Sequence, residues 1–254
     1  MVACRAQGRA ALVGYLPVGY PSVAGSVEAM LALVQAGVDV VEVGVPYSDP
    51  LMDGPVIQRA TEAALAAGTR VDDVFTAVRA LADAGGAAYV MTYWNLVLRR
   101  GVDRFAADLA RAGGSGLITP DLVPDEAGEW LAASDAHDLD RVFLVAPSST
   151  PQRLRIAADA CRGFVYAAST MGVTGTRAQV GSGALGLVAR TREVTDLPVC
   201  VGLGVSTRSQ AADVARFADG VIVGSALVAA LGQGLDRMVE LAGELAAGVR
   251  QGRA

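Results

Sequence analysis

Short apolar runs alternate with stretches of helical spacing from residue 11 to residue 223. The runs are 11–16, 38–43, 87–92, 116–119, 141–145, 163–168, 198–201 and 220–223, nearly apolar throughout, as strands covered on both faces are. Between them apolar residues return every three or four positions: Val27, Met30, Leu31 and Val34; Val74, Val78 and Leu81; Leu227, Leu231 and Leu235. Such stripes pack helices onto a sheet. Pro124 followed by Asp125 and Glu126 predicts a helix start, with acids at the positive end of the dipole. Thr150 before Pro151 predicts a second start, a cap ahead of a first-turn proline. Eight strand-like runs alternating with helices predict a parallel (β/α)₈ TIM barrel, a fold of about 250 residues. No composition break marks a linker and no short repeat is visible, so residues 1–254 are read as a single TIM-barrel domain.

Composition narrows the chemistry. With a formal net charge of −5 and no stripe of Arg, the chain offers nothing to neutralise a nucleic-acid backbone. Residues 1–9 contain no apolar signal region, and no uncharged apolar run is long enough to span a bilayer, so a cytoplasmic protein is expected. Cys4, Cys161 and Cys200 are odd in number and widely spaced, which points to reduced thiols and to neither a disulfide framework nor a zinc site. Lysine is absent, all 21 basic residues being Arg, so Schiff-base aldol chemistry and covalent pyridoxal phosphate attachment are excluded in this chain. The one histidine, His137, lies in a polar stretch and reads as a solvated surface residue, which removes His triads and multi-histidine metal sites. No metal is expected.

Two carboxylates remain as candidates. Glu42 interrupts the apolar run 38–45, and a glutamate there is either paired with a neighbouring Arg or kept for chemistry. Asp53 follows 11 residues later in a Pro- and Gly-rich loop, where it is either a helix N-cap before Gly54 and Pro55 or a second acid at the barrel mouth. Gly202 and Gly204 after the seventh run, and Gly224 with Ser225 after the eighth, stand where such barrels hold phosphate on backbone N–H groups. Thr207 stands where a dinucleotide fingerprint needs its third glycine, so a Rossmann reading fails.

The stretch 42–55, Glu-Val-Gly-Val-Pro-Tyr-Ser-Asp-Pro-Leu-Met-Asp-Gly-Pro, resembles the signature of the tryptophan synthase alpha chain family at every position. The resemblance continues through residues 14–21, 91–95, Tyr166, 171–175, 202–206 and 224–226. It implies retro-aldol cleavage of indole-3-glycerol phosphate to indole and glyceraldehyde 3-phosphate. Glu42 would protonate ring C3 and handle the side-chain hydroxyl proton, while Asp53 would accept a hydrogen bond from the ring N–H and stabilise the cationic intermediate. Tyr166 matches a pocket tyrosine near the Glu, although a barrel-core Tyr reads the same way. Thr174 matches the threonine that orients the Asp, within a Gly-rich lid at 169–183, and Gly175, Gly204, Gly224 and Ser225 match the phosphate site. Thr170 replaces an Arg found in some relatives. Tyr15, Met91 and Tyr93 match positions around the indole. Asp49, Pro50 and Asn95 match a face toward a beta chain in an α2β2 heterotetramer, though Asp49 before Pro50 also suits a turn. Pyridoxal phosphate would belong to the beta chain alone, with no cofactor in this one. A freestanding indole-3-glycerol phosphate lyase and a weakly catalytic phosphate-binding regulatory subunit are the alternatives. Family members usually carry a short helix before the first strand; only ten residues precede the run at 11, so the barrel floor is either less covered or built from an earlier start.

Overall fold

The structure, a computed structural model, describes residues 1–168, 182–202 and 204–252. Its strands are β1 Ala11–Pro17, β2 Val40–Gly44, β3 Ala87–Met91, β4 Gly116–Ile118, β5 Asp140–Val142, β6 Leu144–Val145, β7 Val165–Ala168, β8 Val199–Gly202 and β9 Gly220–Val223. They pair in parallel in the order β5-β4-β3-β2-β1-β9-β8-β7-β6. The two ends of that order are joined covalently, because Phe143 alone separates β5 from β6, and the sheet closes as a barrel.

All eight expected runs are strands, with one correction at 141–145. That run divides at Phe143, whose N–H goes to Cys161 Sγ at 3.3 Å while its carbonyl accepts from Tyr166 N at 3.2 Å. The pairing changes partner there, with β5 lying on β4 and β6 on β7.

Helices cover the barrel. Ser22 Oγ accepts from Gly25 N at 3.0 Å to open the helix Val23–Gln35, and the Asp73 carboxylate reaches back to Arg70 N at 2.7 Å to open Val71–Asp83. Val74, Val78 and Leu81 are buried as the periodicity requires. In Val23–Gln35 the buried face is Ser26, Ala29, Met30 and Leu33, which leaves Val27, Leu31 and Val34 half-buried along its edge. Thr150 caps Pro151–Ala160 as expected. Pro124 opens only a 3₁₀ turn, Pro124–Glu126, ahead of the helix Gly128–Ala136. The stripe Leu227, Leu231, Leu235 crosses two helices, Ser225–Leu231 and Leu235–Gln251, because Gly234 turns the chain at φ +135°.

Two apolar compartments result. One fills the barrel with Val13, Val40, Tyr89, Ile118, Val142, Phe164, Cys200 and Ile222; the other lies between sheet and helices. A short helix, Val2–Ala6, precedes β1, and Met1 packs on the inner compartment with its sulfur 3.9 Å from Cys200 Sγ. The barrel floor is therefore covered. His137 lies at the surface with its side chain 26% exposed, its Nε2 2.9 Å from Oδ1 of exposed Asp103. All three cysteines are free and buried.

Candidate active site

Strand register decides which way the chemistry points. In adjacent parallel strands, partners in register project to the same face. Tyr15, Glu42 and Tyr89 are such partners, and Tyr89 belongs to the inner compartment, so all three point into the barrel. Glu42 is 1% exposed, and its Oε1 finds no hydrogen-bond partner among the described residues. Burial raises its pKa from 4.5 to about 8, so the carboxyl keeps its proton at neutral pH. No Arg pairs with it among the described residues.

Small residues give this acid its surroundings. Gly44 lies two positions after Glu42 on the same face, and a Cβ there would collide with the Tyr15 ring. A Cβ at Gly202 would lie 2.6 Å from the Tyr166 hydroxyl. Tyr15 is buried, and Tyr166, the second residue of β7, is half-buried. Burial above all, and then neighbouring acids, push both phenols well above their ordinary range: Asp53 and Glu42 act on Tyr15, and Glu42 acts on Tyr166. The two tyrosines thus remain neutral, polar walls beside two carboxyl groups.

Asp53 arrives from the loop after β2. The helix Pro55–Ala66 takes Gly54 as its N-cap with no side-chain cap, so the capping alternative for Asp53 is not realised. Its carboxylate instead accepts from the Tyr93 hydroxyl at 3.3 Å. Burial raises the Asp53 pKa and the Tyr93 hydrogen bond lowers it, leaving a net rise. The Tyr93 ring packs on Tyr47 with centroids 5.1 Å apart, and the Tyr47 hydroxyl is 3.4 Å from Asn95 Nδ2. Asp49 is exposed and accepts from Ser48 Oγ at 2.6 Å, and Pro50 beside it is half-buried.

The other expected positions rim the same mouth. Met91 closes β3 half-buried, Gly204 follows β8 with φ +67°, and Gly224 and buried Ser225 follow β9. A Cβ on Gly224 would meet Tyr15 at 3.4 Å, so the glycine borders the pocket. Thr170, Thr174, Gly175, Leu203 and most of the expected lid lie outside the described residues. No group of three His, Cys, Asp or Glu side chains among the described residues could hold a metal. Sequence reasoning missed two links: Tyr93 to Asp53, and Asp121, whose carboxylate accepts from Trp94 N at 3.0 Å and opens the helix Trp94–Arg100. Asp121 lies in a short loop after β4, which was its one available signal.

The arrangement is a protonated buried acid and a second, hydrogen-bonded carboxyl at one barrel mouth, walled by phenols. Such a pair divides proton transfer from charge stabilisation. Known proteins agree with this architecture. The family model described as tryptophan synthase alpha chain matches residues 1–252. The tryptophan synthase alpha chain of Mycobacterium marinum is 68% identical over 248 residues, covering 98% of this chain and 92% of that protein. The Mycobacterium tuberculosis alpha chain is 68% identical over 249 residues with the same coverage. Among solved structures, Mycobacterium tuberculosis tryptophan synthase superposes with a TM-score of 0.95 at 67% identity, covering 98% of this chain and 96% of that one. A mutant tryptophan synthase alpha-subunit from Pyrococcus furiosus gives 0.85 at 31% identity, covering 93% and 96%. With the barrel, its paired carboxyl groups and matches of this extent in hand, the chain belongs to the tryptophan synthase alpha chain family.

Proposed function

We propose that this chain cleaves indole-3-glycerol phosphate to indole and glyceraldehyde 3-phosphate by acid-base catalysis, with Glu42 as the proton-transfer group and Asp53 as the charge stabiliser. The observation that carries this reading is the buried, neutral Glu42 carboxyl, one oxygen of which has no hydrogen-bond partner among the described residues, facing the mouth where Asp53 enters. Glu42 gives its proton to ring C3. The iminium-like ring is then an electron sink, and Asp53, accepting from the ring N–H, offsets its positive charge. The side-chain hydroxyl next loses its proton to Glu42 and becomes the aldehyde carbonyl, as the carbon–carbon bond breaks and its electron pair restores the indole. Glu42 ends protonated, so one carboxyl serves both steps.

Tyr15, Met91 and Tyr93 frame the indole, and Tyr166 lies beside the Glu. Gly204, Gly224 and Ser225, with Thr174 and Gly175 from the lid, complete the phosphate and closure parts that the family resemblance implies. A helix start supplies N–H groups without intrahelical partners, so phosphate binding requires no lysine. No metal or organic cofactor takes part in this scheme. The 254 residues act as one domain in the cytoplasm, which the three unpaired, buried cysteines support.

The partner in this reading is a pyridoxal phosphate-bearing beta chain in an α2β2 assembly. Exposed Leu51 at 71%, in the loop with Asp49 and Pro50, and Leu98 at 51%, on the helix with Asn95, supply apolar surface for such docking. The test is indole release from indole-3-glycerol phosphate by the purified chain, alone and with a beta chain. Slow release that rises on adding beta chain is expected. Equal turnover in both conditions makes the enzyme freestanding, and no release in either overturns the catalytic reading.

A further inference from the structure

The Tyr93 hydroxyl has every hydrogen-bonding position used. Its oxygen accepts from Leu51 N at 3.1 Å and Met52 N at 3.0 Å, and its proton goes to Asp53 Oδ1 at 3.3 Å. A phenol has two acceptor positions and one donor. With both lone pairs taken by the loop backbone, the proton is committed to Asp53. Tyr93 is 5% exposed, so water does not compete for it.

We propose that Tyr93 is a positioning residue: its hydroxyl ties the orientation and charge-accepting strength of Asp53 to the path of loop residues 47–52. The proposal rests on the reading of Asp53 as the charge stabiliser. Two backbone amides polarise the O–H and strengthen its donation, an effect lost when the loop moves away. Among the described residues this bond is the one influence that favours the charged carboxylate against burial. The hub also reaches the surface through the Tyr47 ring and its contact with exposed Asn95. Whatever presses on this face displaces the two amides, and so acts on Asp53 without touching it.

The test is Tyr93→Phe, which retains the ring and its packing on Tyr47 while deleting the hydroxyl. Loss of a hydrogen bond to a charged group should lower kcat roughly 10- to 100-fold. KM should change by less than about threefold, because the ring is preserved. The acidic limb of the kcat–pH profile should move to higher pH, and carboxyl carbon NMR of Asp53 should show its titration moved the same way. A raised KM with unchanged kcat would make Tyr93 a pocket wall only and overturn the proposal. An unmoved Asp53 titration would overturn it as well, whatever happens to kcat. If the wild-type chain releases no indole, the functional reading fails separately, and the Asp53 titration still decides the role of Tyr93.

Discussion

Replacing Glu42 by glutamine removes a titrating proton from the barrel while keeping the size of the side chain. Folded Glu42 holds its proton up to about pH 8, whereas in the unfolded chain it ionises near 4.5. Between these values the folded state binds more protons, so this group's contribution to stability is complete below about pH 4.5 and is lost as pH rises through about 8. The gap of about 3.5 decades, at about 1.36 kcal/mol each, corresponds to a loss on the order of 5 kcal/mol for the wild type at high pH. The amide of Glu42→Gln does not titrate, and the variant escapes that loss. Urea unfolding of both proteins should therefore agree within about 1 kcal/mol near pH 4.5 and diverge by several kcal/mol above pH 8, with the variant the more stable. Its indole formation should nevertheless fall at least about 10²- to 10⁴-fold, the range for a lost general acid-base. A stability gap that does not change with pH would refute the buried, uncompensated carboxyl. Retained turnover would refute its role in proton transfer.

Asp53→Asn should lower kcat by a similar factor without lowering the melting temperature, because Gly54, not Asp53, caps the following helix; a drop in thermal stability with unchanged turnover would restore the capping role. Gly224→Ala places a Cβ in ordinary contact with Tyr15 at 3.4 Å, so the fold should survive while KM for the phosphate substrate rises several-fold; an equal effect on binding of an analogue without phosphate would remove support for the phosphate site. Asp49→Ala should reduce stimulation by a beta chain by roughly 5- to 150-fold at most, and the isolated chain's rate by much less; equal losses in both assays would assign Asp49 to local folding.

The closing seam and the loop geometry set the boundary of what the sequence carried. Apolar runs buried on both faces are written directly into composition, so eight strands and the barrel were readable, as was the absence of lysine chemistry. Glu42 was readable for the same reason: one acid in an apolar strand contradicts its surroundings. The break at Phe143 was not, because residues 141–145 form an unbroken apolar-rich run, and the partners on its two halves, β4 and β7, are brought to it only by the closed barrel. The stripe Leu227, Leu231, Leu235 misled because periodicity survives a glycine turn that ends one helix and begins another. Asp53 was ambiguous in sequence, where a cap and an acid before Gly-Pro look alike. In the structure Gly54 takes the cap position, and the Tyr93 hydroxyl, 40 residues away in the chain, donates to the Asp53 carboxylate. Local pattern follows from which neighbours a residue has along the chain. Strand inward faces, the neutral state of Glu42 and the commitment of one phenolic proton to Asp53 depend on neighbours that only closure of the barrel brings together.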